Sequence, residues 1–151
     1  MFQISTGCRF GDAFKISKNQ IKEGCIEYFP EKTRHKKDNL VIVPINDVSQ
    51  MILDKYDSDL TSLKISNQKY NQGLKDMFAE LVEKYPELFA SAYSSHNARD
   101  TFITTSINAG VDVPLLLMMV GQSSWAIMKR YYKPNRELGK EKMQTVAAFK
   151  L

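Results

Sequence analysis

The sequence predicts an α+β domain that is mainly helical, a helical bundle with a small antiparallel β-hairpin or sheet at one edge. Three observations carry that reading. Apolar residues recur at helical spacing through almost everything after Asp47. Only CIEYF (25–29) and LVIVPI (40–45) are dense in β-branched and aromatic residues, the types that suit a pleated, half-buried surface. A polar, strongly charged segment, PEKTRHKKDN, separates these two runs and reads as a long basic hairpin loop.

The elements follow in order. Met1, Phe2 and Ile4 stand directly before STG and read as the end of a helix. RFGDAFKI reads as a short helix with Ser5 or Thr6 as its cap, which puts Arg9 in its first turn. After the hairpin, DVSQMILDKY carries Val48, Met51, Ile52 and Tyr56 at helical intervals. SNQKYNQGLKDMFAELVEKY places Tyr70, Leu74, Met77, Phe78 and Leu81 on one stripe, and Pro86 closes it. SSHNARDTFITTSINAG opens on a serine cap and ends at Gly110, a natural residue for the left-handed turn after a helix. DVPLLLMMVG has Asp112 as cap, a core-forming LLLMM stripe and a stop at Gly121. SSWAIMKRYY reads as a helix stopped by Pro134, with Trp125 packed inside, and NRELGKEKMQTVAAFK as a last, weaker helix.

Composition narrows the function classes. A length of 151 residues suits one domain with a real core. The formal net charge of +4 is compatible with a polyanionic partner without demanding one. Cys8 and Cys25 are too few for a disulfide scaffold and lack zinc spacing, so no metal site is expected and a reducing cytosol is the default. The longest apolar run, 113–120, is far short of a membrane span, and no signal peptide is evident.

Candidate chemistry sits in three places. His96 and Arg99 are three residues apart and share a helix face. A guanidinium fork beside an imidazole suits an anionic group such as phosphate, although a satisfied polar pair on a helix face has the same pattern. Arg9 follows a capped turn, where backbone N–H groups favour anions. Tyr131 and Tyr132 point about 100° apart if both are helical, so one site can take only one of them. A phenol is a poor nucleophile unless positive charge stabilises its phenolate, and Lys129 and Arg130 stand directly before the pair.

Taken in order, TGCR (6–9), KT (32–33), HNAR (96–99), VGQSS (120–124) and a late tyrosine resemble the tyrosine recombinase, or phage integrase, family. HNARDTFITTSINAGVD also resembles that family's H-x-A-R-H-T-F-A-T helix and the turn after it. The family's tyrosine falls nine residues after the histidine of G-H. Gln122 occupies that histidine's place, so the resemblance selects Tyr131. It implies the catalytic-domain fold of that family over residues 1–151, N-terminally truncated, with the usual N-terminal DNA-gripping domain absent.

It also implies a site-specific DNA recombinase or integrase that cuts and rejoins strands through a 3′-phosphotyrosyl intermediate, with no cofactor. By position, Tyr131 is the nucleophile, and Arg9 and Arg99 clamp the non-bridging phosphate oxygens. His96 assists as proton acceptor and hydrogen-bond donor, and Lys32 is the general acid. The same loop also offers His35, Lys36 and Lys37. Arg34, Lys36, Lys37, Lys129 and Arg130 are expected to touch the DNA backbone. Gln122 departs from the family's histidine; an amide can donate to phosphate but not titrate, so activity is expected to be slowed. Asp100 departs from a frequent histidine and stands next to Arg99, which it could hold or partly neutralise. The implied partners are double-stranded DNA and a second protomer, reached through the C-terminal helix unless that helix folds back on its own core. The implied setting is a bacterial or phage-encoded mobile element, acting at the nucleoid in the cytoplasm, with no membrane partner. The alternative is a catalytically impaired DNA-binding relative or integrase remnant with a regulatory role.

Overall fold

The computed structural model of the protein describes residues 1–33, 39–89, 93–132 and 136–145. Eight α-helices and a three-stranded antiparallel sheet make up the described fold. Helix α1 (Phe2–Thr6) ends at Gly7, and Arg9 is the N-cap of the short α2 (Phe10–Ala13). The expected cap from Ser5 or Thr6 is not formed, because both hydroxyls donate back to Phe2 O, at 3.0 and 2.7 Å. Arg9 therefore stands at the junction of two helices and not inside a helical turn.

Strands β1 (Ile21–Lys22), β2 (Cys25–Tyr28) and β3 (Val41–Pro44) pair in that order. The β2–β3 register, Ile26 opposite Val43 and Tyr28 opposite Val41, puts those four side chains on the buried face. The β1–β2 hairpin turns through Glu23 and Gly24, both at positive φ, as a two-residue hairpin requires. Strand β1 has too few residues to show a period, so it was not foreseen.

Helices α3 (Asp47–Lys55), α4 (Asn67–Lys84), α5 (Ser95–Asn108) and α6 (Val113–Val120) lie where the apolar spacing places them. Ser94 caps α5, and its N–H donates to Asn97 Oδ1 at 2.8 Å. One core cluster joins α1 and α3 to the sheet through Phe2, Ile16, Ile26, Val41, Val43 and Leu53. A second joins α5, α6 and α7 (Trp125–Met128) through Ile103, Ile107, Leu116, Val120 and Met128. The LLLMM stripe is core on one side only: Leu116 is buried, while Leu115 and Met118 are exposed. Helix α1 packs on α5, and α6 packs on β3, so the N-terminal motif and the two later motifs meet.

Gly121 makes the α6–β3 approach possible. Its φ is +58°, and a Cβ there would lie 2.6 Å from Val41 Cγ2. Gly121→Ala is therefore expected to lower stability by about 1–3 kcal/mol from backbone strain alone, with the contact to Val41 adding to it. A thermal melt checks this, and an unchanged midpoint would contradict the close approach.

Two expectations fail at the C-terminal side. The SSWAIMKRYY helix stops at Met128, and Tyr131 and Tyr132 continue through turns in which their N–H groups donate to Met128 O and Lys129 O, at 2.9 and 3.2 Å. Trp125 is not packed inside; it is half exposed, with its ring centroid 6.1 Å from that of Tyr132. Helix α8 (Arg136–Thr145) lies with Leu138 and Lys142 near Gly110 of its own chain. The apolar tail residues Val146, Ala147 and Phe149 fall outside the described residues, as do Arg34, His35, Lys36 and Lys37. No helix among the described residues is long and apolar enough to cross a membrane.

Candidate active-site cleft

Arg99 is the most deeply held of the candidates, at 3% exposure. Its Nη1 donates to Gly7 O at 2.7 Å and its Nη2 donates to Val120 O. These carbonyls close α1 and α6, each helix followed by a glycine in the left-handed conformation. A helix end carries orphan carbonyls and a partial negative charge, so two such ends converging on one guanidinium make its burial tolerable. The charge is nonetheless strained. Burial first, and the neighbouring Arg9 second, bring the Arg99 pKa down to about 10, which leaves it a cation at neutral pH.

Arg9 is held more loosely. Its Nη2 donates to Gly121 O at 3.4 Å, and Nη1 lies 3.9 Å from Asp12 Oδ2. That Nη1 and that Oδ2 are buried without a hydrogen-bond partner among the described residues. Those two atoms face each other without reaching hydrogen-bond distance, and Arg9 stands beside a second cation, Arg99, a juxtaposition of like charges that an anion would relieve. Asp12 also accepts from Glu31 N at 3.0 Å, which ties the helix of Arg9 to the turn that bears Lys32.

Arg9, Lys32, His96, Arg99, Gln122 and Tyr131, the six predicted catalytic residues, line one open cleft of about 880 Å³. Arg130 lines it too, and Lys129 does not. Gln122 is half buried, and its side chain has no hydrogen bond among the described residues. Tyr131 rests its ring against the α5–α6–α7 core while its oxygen makes polar contacts. It donates to Asp100 Oδ1 and accepts from Arg130 Nη2 at 2.6 Å, and the Arg130 guanidinium lies 4.7 Å from its ring centre. Burial, and then the Asp100 contact, push the phenol above its usual range; Arg130 pulls the other way. His96 Nε2 stands 3.6 Å from the same Asp100 oxygen.

Asp100 therefore faces the phenol, and among the described residues no hydrogen bond or ion pair joins it to Arg99; its part in the site is what the sequence reading missed. Asn67 and Ser95 also line the cleft unforeseen, and Ser95 N donates to Asn71 Oδ1 at 2.8 Å, joining α5 to α4. Among the described residues no group of His, Cys, Asp and Glu side chains could hold a metal ion.

Comparison with known proteins follows the same lines. No curated protein matches the sequence significantly. Solved structures share the fold at low identity. The Tn1549 transposon integrase, in complex with transposon right end DNA, matches with a TM-score of 0.73 and 14% identity, covering 97% of this chain and 57% of that one. XerA recombinase matches with a TM-score of 0.59 and 20% identity over 97% of this chain and 54% of its own. XerH site-specific recombinase bound to palindromic difH substrate matches at 0.57 and 16%, over 95% and 43%. This chain thus spans little more than half the length of these proteins or less. The profile of the Phage integrase family matches residues 1–137, a span that holds every cleft residue discussed above, and the chain belongs to that family.

Proposed function

We propose that this domain is the catalytic part of a site-specific DNA recombinase, a transesterase that cleaves and rejoins strands through tyrosine. The observation that carries the reading is that two neighbouring guanidinium groups, the half-buried Arg9 and the buried Arg99, line the same cleft as Tyr131. A phosphodiester seated there presents its non-bridging oxygens to both arginines, where charge builds in the transition state. Tyr131 Oη attacks phosphorus, the P–O5′ bond breaks, and Lys32 protonates the leaving oxygen. Gln122 donates a hydrogen bond to the phosphate. A 3′-phosphotyrosyl link results, and a hydroxyl of the partner strand reverses the step. The bond energy stays in the link, so the reaction needs no nucleotide. Arg34, Lys36, Lys37, Lys129 and Arg130 supply backbone contacts, so affinity should fall steeply with salt. Self-association on DNA through the C-terminal helix belongs to the same proposal.

Incubating the protein with a nicked, radiolabelled duplex and running a denaturing gel tests this directly. Protein-linked DNA is expected, and its absence at low salt with DNA bound would favour the second reading. That reading, a DNA-binding relative impaired in catalysis, draws on Gln122, which cannot exchange a proton where the family has histidine.

The role of Lys32 has its own test. Lys32→Ala should slow cleavage about 10²–10⁴-fold, the usual worth of a positioned acid. A substrate with sulfur at the bridging 5′ position has a leaving group that needs no acid and should restore most of the rate. Lys36→Ala and Lys37→Ala should lose little on the oxygen substrate. Sulfur rescue of one of those variants, and not of Lys32→Ala, would move the role along the loop.

A further inference from the structure

We propose that Asp100 is the base of the cleavage step, taking the phenolic proton from Tyr131, with His96 acting through it. This rests on the strand-cleavage reading above. Three contacts support it. Tyr131 Oη donates to Asp100 Oδ1, a carboxylate oxygen that can accept the proton already shared with it. On the other side Arg130 Nη2 donates to the same phenol oxygen at 2.6 Å, placing a fixed cation where phenolate charge develops. His96 Nε2 stands 3.6 Å from Asp100 Oδ1, and among the described residues the phenol's hydrogen-bond partners are Asp100 and Arg130, not His96. The imidazole can therefore orient the carboxylate and stabilise its charge, which makes His96 a positioning residue.

The step balances. The Oη–H bond breaks and its proton passes to Asp100; the electron pair left on Oη forms the bond to phosphorus. The P–O5′ pair departs on O5′, which takes a proton from Lys32. Asp100 ends protonated and Lys32 neutral, and rejoining restores both. About six orders of magnitude in acidity separate a free phenol from a carboxylate, so full transfer before attack is unfavourable. As the P–Oη bond forms, the phenol oxygen loses its basicity, and a carboxylate already hydrogen-bonded to it can take the proton during the step.

A structural contact alone would make a different prediction. Asp100 is an acidic group beside a site meant for DNA. If it only held Tyr131 in place, Asp100→Asn would keep a hydrogen bond, remove a repulsive charge and leave cleavage equal or faster.

Asp100→Asn and Asp100→Glu separate these roles by two measurements. The first is an NMR titration of protein labelled with ¹³C at tyrosine Cζ, without DNA, with Tyr131→Phe assigning the resonance. The charged groups facing the phenol are Asp100, His96 and Arg99 from α5 and Arg130 from its own turn, with Arg9 and Lys32 across the cleft. Removing the carboxylate should move Tyr131 ionisation to lower pH; an unchanged titration overturns the contact and the proposal. The second is single-turnover cleavage of the nicked duplex. Asp100→Asn should bind DNA no more weakly and cleave at least about 10²-fold slower near neutral pH, with the deficit shrinking as pH rises and the phenol ionises unaided. Asp100→Glu should recover much of the rate. No adduct from the wild-type protein overturns the cleavage reading, and with it this role. An adduct formed at an unchanged or higher rate by Asp100→Asn overturns the role alone.

Discussion

Tyr131→Phe will bind the nicked duplex as tightly as the wild-type protein and give no protein-linked DNA, down to the detection limit of the gel. The ring keeps its place against the α5–α6–α7 core, because the substitution removes one oxygen and no carbon. What goes are the hydrogen bonds to Asp100 and Arg130. Asp100 is partly exposed and Arg130 exposed, so both can turn to water and the stability change should be about 1 kcal/mol or less. A folded, DNA-binding variant with no adduct therefore isolates the nucleophile. Tyr132→Phe is the matched control. Tyr132 is exposed and lies by Trp125 away from the arginine pair, so its adduct yield should equal the wild-type value. An adduct with Tyr131→Phe that disappears with Tyr132→Phe would reverse the assignment.

How far the site was legible in the sequence depended on whether its parts are local. The glycines after α5 and α6 were readable as turns, because Gly110 and Gly121 sit where a helix must leave its right-handed course. The helical stripes told which faces pack, and the ordered motifs told which residues to bring together. Three features were not legible. Strand β1 has two residues and shows no periodicity, so only its pairing with Cys25 and Ile26 reveals it. The helix before Tyr131 ends at Met128 and passes into turns whose N–H groups reach back three residues, a change of course that helical propensity does not record. The Asp100–Tyr131 contact spans 31 positions. A hydrogen bond at that separation exists only once α5 and the turn after α7 are docked, and nothing in either segment alone announces it.

Arg99→Ala will damage both fold and reaction, and the two losses can be separated. The side chain is the donor for two helix-end carbonyls, Gly7 O and Val120 O, inside the molecule. Orphaning a buried acceptor costs about 1–3 kcal/mol each. Part of this is offset, since the mutation also removes the burial penalty and the repulsion by Arg9 that lower the Arg99 pKa to about 10. With that offset the expected net loss is about 1–3 kcal/mol, read as a melting point lower by about 2–12 °C in a chain of this size. Cleavage should fall by more than about 10³-fold, beyond the usual worth of a single transition-state donor. Arg99→Lys divides the effects. An ammonium retains the charge and reaches one of the two carbonyls, so most of the stability should return. It lacks the planar fork that meets a carbonyl and a phosphate oxygen together, so cleavage should stay at least about 10²-fold down. A lysine variant that melts and cleaves like the wild type would mean that any cation suffices there. An alanine variant that melts normally would mean the two helix ends do not depend on this guanidinium. With either result, Arg99 could no longer be the residue whose structural and catalytic contacts are the same ones.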